Sequence, residues 1–243
     1  MHAEFDDLLG EPSLVPWHNA SLVVESFSLN EWARSRYRRE KLLRLAAFLD
    51  EQLTPGTEVL CIEPGNREAG RLIPALRTEL LDRKNTTVLA PCTHHERCPL
   101  VRTRDRSWCH FRGDADAPDW LLEVGDSVGL PKERLHVSYL WWRQGQQTDR
   151  SRPPGRAKMR VLGEPMRIGR GQEGVYACGR GGRALLSWPG GRIPPPGLVD
   201  CGAIFETNVP KDASVDLRSG ATVVPIAPDR GDRGASGRRP PRA

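Results

Sequence analysis

Half of the chain's six cysteines lie in one short stretch, "APCTHHERCPLVRTRDRSWCHF", residues 90–111. The spacing is Cys92-x5-Cys98-x10-Cys109, with His94, His95 and His110 interleaved and Pro91 and Pro99 beside the first two thiols. A turn-rich segment of this kind leaves thiolates free to converge on one metal. Three thiolates form a donor set that selects zinc or an iron–sulfur cluster over hard cations. A closed site needs a fourth donor, for which Cys178, Cys201 and the local histidines are the candidates. Cys61 sits mid-strand and reads as a small buried hydrophobe. The spacing departs from a standard zinc ribbon, so the residues alone leave zinc, iron–sulfur and three unrelated thiols all open.

Other chemistry-bearing patterns are weaker. In "EPGNREAGRL" (63–72) Gly65 and Gly70 have the spacing of a phosphate-binding loop. The lysine and hydroxyl that such a loop needs are replaced by Arg71 and Leu72. The segment therefore reads as a tight strand-to-helix turn in which Gly70 permits close packing. No Gly-x-Ser-x-Gly elbow or His-Glu-x-x-His helix is present. Glu25 and Glu63 end neighbouring candidate strands, where an open α/β sheet borders its ligand crevice; they are candidates to line a site or to cap a helix.

These residues need elements to position them. "SLVVESF" (21–27), "TEVLCIEPG" (57–65), "TTVLAP" (86–91) and "RLHVSYLWWRQ" (134–144) read as strands. "SLNEWARSRYRREKLLRLAAFLDEQL" (28–53) reads as one helix, with Leu42, Leu45, Ala46, Leu49 and Leu53 on one apolar face. "REAGRLIPALRTELLDR" (67–83) and "APDWLLEVGDSVGL" (117–130) read as two more. This order predicts an α/β domain with a mostly parallel sheet over residues 1–146. A basic linker follows over 147–160, with five basic residues against one acid. Short β-like runs ("GVYACG", "RALLSW", "ATVVPI") predict a small β-rich C-terminal appendage over 161–226, and the Arg-rich stretch 227–243 reads as a disordered tail.

The chain has 243 residues, 38% hydrophobic and 28% charged, with a formal net charge of +5. That balance favours an anionic partner such as RNA without requiring one. No signal core or apolar run of the roughly 20 residues that cross a bilayer is visible, so a cytoplasmic protein is expected. In a reducing compartment, clustered cysteines point to a metal or redox group rather than disulfides.

The pattern Ala-Pro-Cys-x-His, Cys-Pro-Leu, Trp-Cys-His-Phe, carried by Ala90, Pro91, Cys92, His94, Cys98, Pro99, Leu100, Trp108, Cys109, His110 and Phe111, resembles the signature of the methyltransferase-like proteins of the mitochondrial small ribosomal subunit and their bacterial relatives. "FSLNEW", "EPGNREAG" and "VSYLWWR" are similar to that family's segments, in the same order, and the resemblance covers roughly residues 20–180. It implies a class I, Rossmann-like S-adenosylmethionine methyltransferase sheet. It also implies a [4Fe–4S] cluster on four cysteines, with zinc as the alternative, and a role in small-subunit assembly or translation through ribosomal RNA, with no membrane or DNA partner. Cys92, Cys98 and Cys109 match three of the family's metal ligands. The fourth falls in "RIGRGQEGVYACGRGGR" at Cys178, with Cys201 in reserve. "SLVVESF" resembles the fourth strand of the family's sheet. A bacterial member lacking the N-terminal, cofactor-binding half is therefore expected, with no catalytic residue assigned. An active S-adenosylmethionine-dependent RNA methyltransferase and a zinc-stabilised interaction module are the alternative readings.

Overall fold

The computed structural model describes residues 16–101, 107–114, 116–130, 134–145, 156–169 and 171–227. Ten strands form two five-stranded sheets. The first sheet contains β1 (Leu22–Ser26), β2 (Glu58–Pro64), β3 (Thr86–Ala90), β4 (Phe111–Asp114) and β5 (Arg134–Gln144). Its order is β1-β2-β5-β3, with β4 also paired to β5. Two helices, α1 (Arg38–Gln52) and α2 (Ala69–Asp82), pack on one face, and a short α3 (Asp119–Ser127) precedes β5.

The apolar periodicity explains that packing. Leu42, Leu45, Ala46 and Leu49 of α1 join Leu72, Ile73, Leu76 and Leu80 of α2 against Val59, Cys61, Leu140 and Trp142 of the sheet. β2 alternates between buried and half-buried residues at period two, so Val59, Cys61 and Glu63 share the helix-covered face.

Two expectations are corrected here. The sheet is mixed rather than mostly parallel: β1 and β2 are parallel, but β5 runs antiparallel to β2, β3 and β4. The segment 28–53 is not one helix. Leu29–Trp32 forms a 3-10 turn and α1 begins only at Arg38. The cause is local, because the Glu25 and Glu63 carboxylates accept the N–H groups of Ser28, Leu29 and Asn30 and hold that turn apart from the helix.

The second sheet has the order β10-β8-β7-β6-β9. Its strands are β6 (Ala157–Gly169), β7 (Gln172–Gly179), β8 (Gly182–Pro189), β9 (Ile204–Thr207) and β10 (Thr222–Pro225). The β-rich appendage is present, but it begins at Ala157, inside the expected linker, and includes β9, which the sequence pattern did not reveal. The rest of that linker, apart from Arg156, and all of the tail beyond Ala227 lie outside the described residues. Met159, Val161, Val175, Ala177, Leu186, Trp188, Leu198 and Val224 form a second core, separate from the first.

Candidate metal centre between the two sheets

β3 and β4 lie end to end along the same edge of β5. Ala90 pairs with Trp141, and Phe111 pairs with Val137. Cys92, Cys98 and Cys109 therefore lie where one strand leaves that edge and the next takes it up. Ser138, in the intervening part of β5, donates its hydroxyl to the Cys109 carbonyl at 2.6 Å.

The loop is fixed from three sides. Arg77 of α2 donates to the His94 and Glu96 carbonyls at 2.6 and 2.9 Å. Trp108 Nε1 donates to the Gly65 carbonyl at 2.9 Å. From the second sheet, Arg160 Nε donates to the Pro91 carbonyl at 2.8 Å, and the Thr93 hydroxyl donates to the Lys158 carbonyl at 2.9 Å. The two glycines of the 63–72 segment act here as packing residues. A Cβ on Gly65 would stand 2.5 Å from the His136 carbonyl carbon, and one on Gly70 would stand 2.5 Å from Trp108 and 2.8 Å from the Cys109 carbonyl. Asn66 caps α2 by accepting from Ala69 N at 2.9 Å.

Cys178 comes from the other sheet. β7 turns Val175 and Ala177 into its own core, which leaves Tyr176 and Cys178 on the opposite face. That face meets the cysteine loop. Burial raises the pKa of Cys92, Cys98, Cys109 and Cys178, the last to about 12. After burial, the mutual charges act: Cys109 is raised further by Cys92, Cys98 and Cys178, and Cys178 by Cys98 and Cys92. The four thiols thus occupy one electrostatic neighbourhood. Cys201 stands apart, with its Sγ accepting from the backbone N–H groups of Arg112 and Gly163 at 3.4 and 3.3 Å.

Arg77 is the one cation that lowers all four thiol pKa values. It is 1% exposed, its Nε has no partner, and among the described residues no carboxylate pairs with it. A buried cation without a counter-charge is costly. Four metal-bound thiolates would supply that charge, whereas four neutral thiols would not. The donor set therefore fits a metal centre. Among the described residues, the group of three or more His, Cys, Asp and Glu donors lying within 4.8 Å of one another is Glu25, Cys61 and Glu63, not the four thiols. Zinc at about 2.3 Å from each sulfur would draw four thiolates to within about 4 Å of one another.

The histidines play other parts. His94 is 7% exposed, with neither ring nitrogen hydrogen-bonded. Burial first, then the Arg77 charge, lowers its pKa to about 4, so the ring is neutral. His95 Nε2 accepts from Val88 N at 3.0 Å, and His110 stacks between Trp108 and His136.

Glu25 and Glu63 do meet, at the ends of the parallel pair β1 and β2, and they cap the 3-10 turn. Glu63 is fully buried and accepts from Leu29 N and Asn30 N at 2.8 and 3.0 Å. Burial and the Glu25 charge push its pKa up to about 8. Cys61 is buried as expected, but its Sγ also donates to Glu25 at 2.6 Å. Sequence spacing hid this trio because its members lie on two strands, and only the parallel register Glu25↔Cys61 brings them together.

No helix of the described residues is long and apolar enough to cross a membrane. A search of curated proteins finds no match to this chain. A family model, described as mitochondrial small ribosomal subunit Rsm22, matches residues 10–184, well over half the chain and all four clustered cysteines. The chain belongs to the mitochondrial small ribosomal subunit Rsm22 family.

Proposed function

We propose that this chain is a methyltransferase-like protein that serves assembly of, or translation by, the small ribosomal subunit. In this reading it contacts ribosomal RNA and holds a [4Fe–4S] cluster on Cys92, Cys98, Cys109 and Cys178. The carrying observation is that four half-buried thiols, three from the first sheet's loop and one from β7, act on one another's charge beside the Arg77 guanidinium, which has no carboxylate partner among the described residues. The cluster would join two sheets whose apolar cores are separate. Metal binding of this kind contributes directly to folding.

Strand order supports the methyltransferase-like part. In this reading antiparallel β5 between β2 and β3, beside the parallel pair β1 and β2, forms the last strands of a class I methyltransferase-like sheet. The reading assigns no residue to methyl transfer, and S-adenosylmethionine belongs to it only through the family.

Anaerobic purification followed by iron, sulfide and zinc analysis tests the cluster. About four irons and four sulfides per chain, with broad visible absorption, are expected. Cys178→Ser is expected to lose the cluster, and Cys201→Ser to keep it. One zinc and no sulfide would replace the cluster with a structural zinc site. Full iron in Cys178→Ser would remove Cys178 from the ligand set. RNA affinity is expected to fall steeply with added salt, and flat dependence would argue against phosphate contacts.

A further inference from the structure

Beside the cysteine loop, the same seam holds a cavity of about 470 Å³, whose walls come from Leu100, residues 107–110, β6, β7, β8 and the 218–219 turn. Its size is that of a small-ligand site. None of the thiols lines it.

The lining has a consistent chemistry. Trp108 and Tyr176 bring aromatic rings, and Met166, 36% exposed, brings a thioether. Trp108 is anchored through its Nε1 to the Gly65 carbonyl and stacks on His110 at 4.8 Å, so its ring is held in place before any ligand arrives. Two cations, Arg183 and Arg218, also line the cavity. Arg183 lies 5.6 Å from the Tyr176 ring centre and donates to the Ser107 hydroxyl at 2.6 Å. Two carboxylates among the described residues here are already engaged. Glu164 is paired with Arg112, and Asp216 accepts the backbone N–H groups of Arg218 and Ser219 and the Ser219 hydroxyl. A planar ring between fixed aromatics, with an anion on the arginines, matches this arrangement. Stacking on aromatic side chains with arginine at the backbone is how unpaired nucleotides are bound.

We propose that this cavity takes one unpaired nucleotide of an RNA strand, its base against Trp108 and Tyr176 and its phosphate on Arg183 and Arg218. The proposal deepens the ribosomal-RNA reading and rests on it for the choice of a strand over a free nucleotide, since both present the same chemistry.

The test uses the full chain with its metal and a short single-stranded RNA carrying 4-thiouridine. Crosslinks are expected in the peptides holding Trp108 and Tyr176. Arg218→Glu and Met166→Glu, both partly exposed and outside the cores, are expected to weaken binding about ten-fold while leaving the metal content unchanged. Salt-sensitive RNA binding with wild-type affinity in both variants, and crosslinks confined elsewhere, would overturn the cavity and leave the ribosomal-RNA reading standing. Uridine monophosphate binding that both variants abolish, without any binding of the RNA strand, would overturn the strand assignment and leave a free-nucleotide pocket. Absence of both kinds of binding would overturn the cavity and the RNA reading together.

Discussion

The two sheets solve the problem of burying one apolar face in different ways, and the contrast explains where the thiols sit. In the first sheet the cover is helical. Leucines at three- and four-residue steps in α1 and α2 lie on the period-two face of β2 and β5. Among the described residues, no helix covers the second sheet. It buries Val175, Ala177 and Leu186 under its own curved neighbours and loop residues such as Leu198. Polar contacts across the seam include hydrogen bonds from Arg160 and Thr93 and ion pairs such as Arg112–Glu164 and Arg180–Glu96. Exposed pairs of this sort contribute about 0–1 kcal/mol each. Two cores that share no apolar face need another joint, and the four thiols lie at that joint.

The largest effects should show whether the cores are independent. Leu140 and Leu186 are both fully buried, one in each core. Truncation of either to alanine is expected to cost about 2–5 kcal/mol. Hydrogen exchange should show Leu186→Ala loosening the second sheet alone in the metal-free chain. Equal loss of protection in both sheets would break the comparison.

Gly70→Ala drives a methyl into Trp108 and the Cys109 carbonyl. A cost of about 1–3 kcal/mol is expected, accompanied by lower metal content, because Cys109 must move. An unchanged melting temperature would show that the loop does not rest on α2. Arg77→Met tests the counter-charge at the seam. Chelator competition is expected to show metal affinity lowered about ten- to hundred-fold, and wild-type retention would remove Arg77 from the site.

A further effect distinguishes the sheets by pH. The Glu63 pKa is raised from 4.5 to about 8 in the folded chain, by burial first and the Glu25 charge second. The folded state therefore holds a proton that the unfolded chain releases. The stabilisation is complete below the unfolded value and is lost as pH rises through about 8. Urea midpoints of the first sheet should fall over that window, and Glu25→Gln should flatten the fall. Smallest of all, Arg112→Ala is expected to change stability by less than about 1 kcal/mol, since Glu164 is half exposed. A larger loss would mean that the seam is held by ion pairs rather than by the thiol centre.

Much of the fold was legible where one physical signal acted alone. Leu42, Leu45, Ala46, Leu49 and Leu53 are all buried, as their spacing requires. Strands β1, β2, β3 and β5 fall where β-branched runs place them, whereas β4, FRGD, carries no such run and went unread. β9 left no such trace: Ile204 and Phe205 are only partly buried, and the strand exists because β6 offers an edge. The start of α1 was misread because competition came from Glu63, more than thirty residues away, taking the N–H groups of Leu29 and Asn30.

The sequence by itself put three thiols, Cys92, Cys98 and Cys109, into one segment between two strands, and the family motif travels with them. The tertiary structure decided what that segment faces. The split of the β5 edge between β3 and β4 places its three cysteines, α2 supplies Arg77 from beneath, and the alternation of β7 presents Cys178 and Tyr176 rather than their neighbours. Local spacing records only which residues travel together. The pairing of strands far apart in the chain, fixed by burying two separate cores, determines which of those groups meet.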